Sequence, residues 1–207
     1  MLCDNNANTR KGLNVHFSLV SKEAWKSRLV VVDRNSFYPI YISCHGWCRM
    51  KKQTWKTYAV WIIFAEVVGG ISGWLTKEGT KIYNAAITRP PLSPPSIVFP
   101  IVWGILFALM GIGAAKVYQA PASGARSRSL LLFFVQLAFN FCWSIIFFNF
   151  QNFGLAFFWL LALWGLILWM ILSFRKVDKS AARLQIPYLL WVTFAAYLNF
   201  GVWMLNR

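Results

Sequence analysis

The chain has 207 residues, of which 58% are hydrophobic, 18% aromatic and 13% charged. Soluble domains carry about 25% charged residues, so this composition lies well outside the range of a water-soluble enzyme. A formal charge of +15 would suit a nucleic acid, but the lysines and arginines sit almost wholly between apolar runs and make no basic face on a soluble module. The anionic partner they imply is lipid headgroup, with no nucleic acid.

Residues 1–49 differ from the rest. They hold Asp4, Glu23 and Asp33 of the six acidic residues, three of the four cysteines and both histidines, without clear helical or strand periodicity. Met50-Lys51-Lys52, followed by Trp55 and an apolar span, reads as the beginning of a small membrane protein. The expected division is therefore an N-terminal extension over residues 1–49, disordered or outside the native protein, and a membrane domain over residues 50–207. Three acids count against an acid-poor transit peptide. Cys44-His45-Gly46-Trp47-Cys48 lacks a second ligand pair, so no metal site is expected.

From there the hydrophobicity comes in blocks. Tyr58–Leu75, Ile97–Tyr118, Leu130–Phe150, Phe153–Phe174 and Ile186–Leu205 are each close to the ~20 residues that cross a bilayer as a helix. Phe153–Phe174 is apolar all round, with no face for water. The fold class expected is an all-α membrane protein, a bundle of five transmembrane helices. Lys51, Lys52, Lys56, Lys116, Arg126, Arg128, Arg175, Lys176, Lys179 and Arg183 fall on one side of it, and only Lys77, Lys81, Arg89 and Arg207 on the other. That is a positive-inside pattern, with the N-terminus cytoplasmic and the C-terminus outside.

In the first span Glu66 is the sole acid, beside Gly69, Gly70 and Gly73, small residues that let another helix approach. The acid suits helix-to-helix contact or proton-linked function equally. The longest connection, Thr76–Ser96, leads into Arg89–Trp103 (RPPLSPPSIVFPIVW). Proline fixes φ and removes a donor, so this segment is expected to be neither helix nor strand but a rigid cover over a site. The link Gln119–Arg128 reads as a surface turn, and Gln151-Asn152 forces the third and fourth spans to be antiparallel neighbours.

Polar groups inside the spans form two stripes. Gln136, Asn140, Trp143 and Phe147 recur on one face of the third span, and Tyr188, Trp191, Ala195 and Asn199 on one face of the fifth. They suit either helix-to-helix hydrogen bonding or a small-molecule pocket walled by aromatic rings. Cys142 is expected to be a small packing residue. Trp159, Trp164 and Trp169 are expected to face lipid or a partner subunit, which leaves Trp103, Trp143 and Trp191 looking inward. No phosphate loop, nucleophile elbow or paired carboxylates appear, and the membrane portion has no histidine.

Several motifs occur together: Arg89-Pro90, Pro94-Pro95, Phe99-Pro100-x-Val102-Trp103, Met110-Gly111, Gln136-Leu137-x-x-Asn140-x-x-Trp143-Ser144 with Phe147-Phe148, Pro187-Tyr188-x-x-Trp191, Phe194-Ala195 and Leu198-Asn199. In these the chain from about Lys52 onward resembles the TspO/MBR family, the tryptophan-rich sensory proteins that include the mitochondrial translocator protein. The resemblance implies a five-helix bundle, commonly a homodimer, that binds tetrapyrroles such as protoporphyrin IX and hydrophobic ligands including sterols, with no cofactor required. By motif position it implies pocket residues Tyr83, Trp103, Asn140, Trp143, Trp191, Ala195 and Leu198, to which Pro94, Pro95, Phe147 and Asn199 are added. Arg89, with Lys77 and Lys81, is expected to meet propionates at the pocket mouth.

Some members break down protoporphyrin in light with two tryptophans, whose positions here are Trp103 and Trp191. Receptor, porphyrin-degrading enzyme and transporter are thus three readings of one pocket, the receptor leading, and the expected address is a bacterial cytoplasmic membrane. The chain departs from the family at Leu92 and Ile82, where aromatic residues are usual. Phe200 and the distant Arg207 depart from the sterol motif of the animal proteins.

Overall fold

A computed structural model describes the backbone of Arg28–Val31, Ile40–Ser43 and His45–Arg207, with side chains from Thr54 onward. The chain divides into two compact units, Met1–Gln53 and Thr54–Arg207. In the first, β1 (Arg28–Val31) pairs antiparallel with β2 (Ile40–Ser43), Arg28 opposite Ser43 and Val31 opposite Ile40. This hairpin is a feature the sequence reading had not found. Val30, Val31, Ile40, Tyr41 and Ile42 are strand-favouring residues, but four-residue strands are too short to show a period. The expectation of a disordered or non-native extension falls largely outside the described residues, as do the side chains of Cys44, His45 and Cys48.

The second unit is helical. α1 runs His45–Leu75 and α2 Lys77–Ala86; α3 runs Val98–Gln119 and α4 Gly124–Ser144. They are followed by α5 (Phe153–Arg175), the short α6 (Lys179–Arg183) and α7 (Ile186–Leu205). Five stretches are long and apolar enough to cross a membrane: Thr54–Leu75, Val98–Gln119, Gly124–Asn149, Phe153–Arg175 and Lys179–Leu205. This unit is an all-α, five-span membrane bundle, as its hydropathy blocks predict.

Two connections differ from expectation. α2 occupies the first half of the long loop. The proline segment is irregular only as far as Ile97, because α3 starts at Val98 and takes Pro100 into its first turn. An amide lost there has no intrahelical acceptor, so the ring is tolerated. The turn after α3 is likewise shorter than Gln119–Arg128, because Ser123 caps α4 by accepting a hydrogen bond from the Arg126 amide at 3.2 Å. Asn152 caps α5 in the same manner, accepting from the Leu155 amide at 3.1 Å, and Gln151 makes the tight turn with φ 49°.

The dense core lies where α4, α5 and α7 meet. Phe133, Leu163, Ile167, Met170, Phe174 and Val192 are fully buried there, and the hydroxyls of Ser129 and Ser173 meet at 2.8 Å between α4 and α5. Gly111 lets α3 touch α1, since a Cβ there would stand 2.6 Å from the Ile62 Cα.

A lidded aromatic cavity

α5 leaves the other side of α4 uncovered, and there the bundle is hollow. A cavity of about 610 Å³ opens between α1, α2, the proline loop, α3, α4 and α7. Both polar stripes bring residues to it, for each recurs with the helical period and shows one face to the interior. From α4 come Asn140, Trp143 and Phe147; from α7 come Trp191, Ala195, Leu198 and Asn199. Trp103 enters from α3, Tyr83 from α2, and Arg89 and Pro94 from the loop. Lys77 lines the cavity as well, whereas Lys81 does not. Pro95 also lies outside the lining: it is exposed, and its carbonyl accepts from the Val98 amide at 2.9 Å to turn the chain into α3.

The rings support one another. Trp143 stacks on Phe147 with centroids 5.3 Å apart, and Phe147 meets Tyr83 at 5.3 Å. Trp103 lies 5.6 Å from Phe107, and Trp191 touches Phe99 edge-on at 5.9 Å. Phe107 was not singled out in the sequence and Phe99 entered only as part of a motif, although the two flank Trp103 at i+4 and i−4 on one helix face. Phe147 sits in a π turn, Ile145–Asn149, that ends α4. Such turns carry an extra residue and re-aim side chains.

The polar stripe residues divide their roles. Tyr188 donates its hydroxyl hydrogen to Gln136 Oε1 at 2.9 Å and accepts from Asn140 Nδ2 at 3.1 Å. Gln136 and Tyr188 are fully buried between helices and do not reach the cavity; of this network only Asn140 does. Asn199 is buried too, yet both its amide atoms, and Trp143 Nε1, have no hydrogen-bond partner among the described residues. A buried polar group without a partner costs about 1–3 kcal/mol, and this stored cost is available to a ligand that pairs with it.

The loop is fastened on two sides. Arg89 donates to the Asn84 carbonyl at 3.2 Å and to its side-chain Oδ1 at 2.7 Å, with its guanidinium 5.4 Å above the Tyr83 ring. Burial raises the pKa of the Tyr83 phenol, and the Arg89 charge pulls it partly back. On the other side the Asn206 amide clamps Thr88: Oδ1 accepts from its N–H at 3.0 Å and Nδ2 donates to its carbonyl at 2.9 Å. Tyr197 donates to the Pro91 carbonyl at 3.0 Å. Leu92 is 80% exposed with φ 67°, so the loop gives the cavity a wall without a ring at that position. Asn206 and Tyr197 carry no motif that would have revealed this role.

Glu66 faces the same cavity from the middle of the first span, together with Gly69, Gly70 and Gly73. Only Gly69 meets another helix closely, through the Phe107 ring; nothing lies within 4 Å of where Gly70 or Gly73 would carry a Cβ. The other two glycines therefore open space and do not pack helices. Glu66 has neither a hydrogen bond nor an ion pair among the described residues, where the single ion pair is Lys81–Glu78 at 3.0 Å. On insertion scales a charge at a span centre costs about 3 kcal/mol.

Trp159 and Trp164 are half-buried on the bundle surface, and each ties its indole N–H to a neighbouring helix. Trp159 donates to the Phe139 carbonyl at 2.9 Å and stacks on the Phe139 ring at 4.6 Å; Trp164 donates to Thr193 Oγ1 at 2.9 Å. An indole N–H takes a partner wherever a neighbouring helix offers one. Trp169 does remain 57% exposed, and Cys142 is exposed and not packed.

A five-span bundle with an aromatic cavity under a clamped proline loop defines an integral, multi-pass membrane protein. Residues 55–204 match the model of the TspO/MBR family, and the chain belongs to it. It is 36% identical over 158 residues to the tryptophan-rich protein TspO of Chlorobaculum tepidum, covering 76% of this chain and 99% of that protein. It is 34% identical to the sheep (Ovis aries) translocator protein, over 67% of this chain and 84% of that one. With the tryptophan-rich sensory protein of Cereibacter sphaeroides it shares 34% identity, over 72% of this chain and 92% of that protein.

Proposed function

We propose that this protein is a membrane receptor that binds a planar tetrapyrrole such as protoporphyrin IX in the cavity under the proline loop. The observation that carries this reading is the cavity wall itself: Trp103, Trp143 and Trp191 line one space with Tyr83 and Phe147. Flat rings stack on a flat macrocycle, and the volume of about 610 Å³ lies within the usual range for ligand sites. Arg89 and Lys77 stand on the loop side of that space, suited to the propionates of such a ligand. Binding needs no further cofactor. The basic connections favour a cytoplasmic N-terminus, with the loop and C-terminus outside; the address proposed is a bacterial cytoplasmic membrane. A homodimer is the assembly the family resemblance favours.

Titrating protoporphyrin IX into the purified protein should quench its tryptophan emission to saturation, and the absence of saturable quenching would overturn the reading. A second reading is light-dependent breakdown of the bound porphyrin, favoured because Trp103 and Trp191, the two tryptophans it needs, both line the cavity. Under illumination in air the absorbance of the bound porphyrin should then fall, and Trp103→Phe should stop the fall. Constant absorbance in the parent protein removes this second reading and leaves the first. Transport would require porphyrin uptake into proteoliposomes containing the protein.

A further inference from the structure

We propose that Glu66 makes this cavity a site for lipophilic amines, a ligand class distinct from the tetrapyrroles and recognised by different chemistry. Glu66, Gly69, Gly70 and Gly73 follow one another at i, i+3, i+4 and i+7 and line the cavity from α1. The cations of α2 and the loop make contacts other than with Glu66. Lys81 pairs with Glu78, Arg89 is held by Asn84 and the Tyr83 ring, and Lys77 Nζ lies 5.7 Å from the Trp74 ring. Among the described residues the carboxyl therefore has no cation partner, on the cavity wall of a membrane-spanning helix.

An ammonium group supplies what is missing. It donates to the carboxylate and at the same time lies against aromatic faces, which attract cations through their quadrupole. Trp103, Trp143 and Trp191 offer such faces around the same space, with Phe107 packed on Gly69 one turn beyond the acid. The open strip at Gly70 and Gly73 leaves room beside the carboxyl for the substituents of the amine. A neutral ring system of the same shape gains the stacking and not the ion pair.

The test compares 9-(dimethylaminomethyl)anthracene with its neutral isostere 9-isobutylanthracene, using energy transfer from tryptophan. Both are titrated into the full chain in nanodiscs of zwitterionic lipid, where the bilayer itself does not concentrate cations. The amine should bind about tenfold more tightly than the isostere, and Glu66→Gln should bring the two within about twofold of each other. Equal affinities in the parent protein overturn the inference, as does an amine preference that survives Glu66→Gln. A protoporphyrin titration of the same nanodiscs separates the two conclusions. Saturable quenching without an amine preference leaves the tetrapyrrole reading standing alone, and an amine preference without quenching leaves Glu66 recognition standing alone.

Discussion

The two sides of α4 use the same residue types for opposite ends. On the α5 side, Trp159 and Trp164 are both hydrogen-bonded, Trp159 is stacked, and the helices close on a core with Phe133, Leu163 and Phe174 fully buried. On the cavity side, Trp143 is 7% exposed and Asn199 1%, yet the Trp143 indole N–H and both Asn199 amide atoms find no partner among the described residues. On the α5 side the indoles are tied and the core is full. The cavity side keeps polar groups and ring faces in reserve, with its loop held by hydrogen-bond clamps and by Pro90 buried against Gly201. The dense core and the cavity are thereby kept on different sides of one helix.

That division can be broken most forcefully in the full half. Leu163→Ala leaves a cavity among fully buried neighbours and should cost about 3 kcal/mol, read as a lower midpoint of thermal or denaturant unfolding in detergent. Trp159→Phe keeps an aromatic ring but removes the indole hydrogen bond to the Phe139 carbonyl and should cost about 1 kcal/mol, with protoporphyrin affinity unchanged; a weaker affinity would mean that the halves are coupled. Asn199→Leu has the reverse sign. It removes an unpartnered amide and should stabilise the unliganded protein by up to about 1 kcal/mol while weakening ligand binding, and a loss of stability would show that the amide has a partner such as water.

The smallest effect expected is at the basic end. Asp178 caps α6 by accepting from the Ser180 hydroxyl at 2.6 Å and the Ala181 amide at 2.7 Å. These hydrogen bonds, with the Lys116 charge as a minor help, hold its pKa below the usual carboxylate value. A depressed pKa means that the cap stabilises above the unfolded carboxylate's pKa and is lost as pH falls through the folded one. Asp178→Asn should therefore flatten the acid limb of the stability curve slightly, and an unchanged limb would assign that limb to other groups.

Much of this was legible in the chain. The five blocks of apolar residues set the spans to within a few residues, because a bilayer demands about 20 apolar positions per helix and tolerates little else. The face of α4 bearing Gln136, Asn140, Trp143 and Phe147 is buried as its spacing predicts. The spacing did not separate Gln136 from Asn140: both amides meet the Tyr188 hydroxyl, and only one of them also borders the cavity. Nor did it reveal that Asn206 and Tyr197 hold the loop, since backbone carbonyls and amides as partners leave no trace in side-chain pattern.

The sequence by itself determined the number of spans, the family, and the faces that turn inward, because periodicity and hydropathy are local properties that a membrane enforces residue by residue. Only the tertiary structure decided which inward groups are satisfied and which are left for a ligand. It separated the tied tryptophans of α5 from the open ones around the cavity, and it showed that Glu66 lines that cavity with no cation partner among the described residues. Those outcomes depend on which neighbour lies within hydrogen-bonding reach, and that distance is set by the packing of helices far apart in the chain.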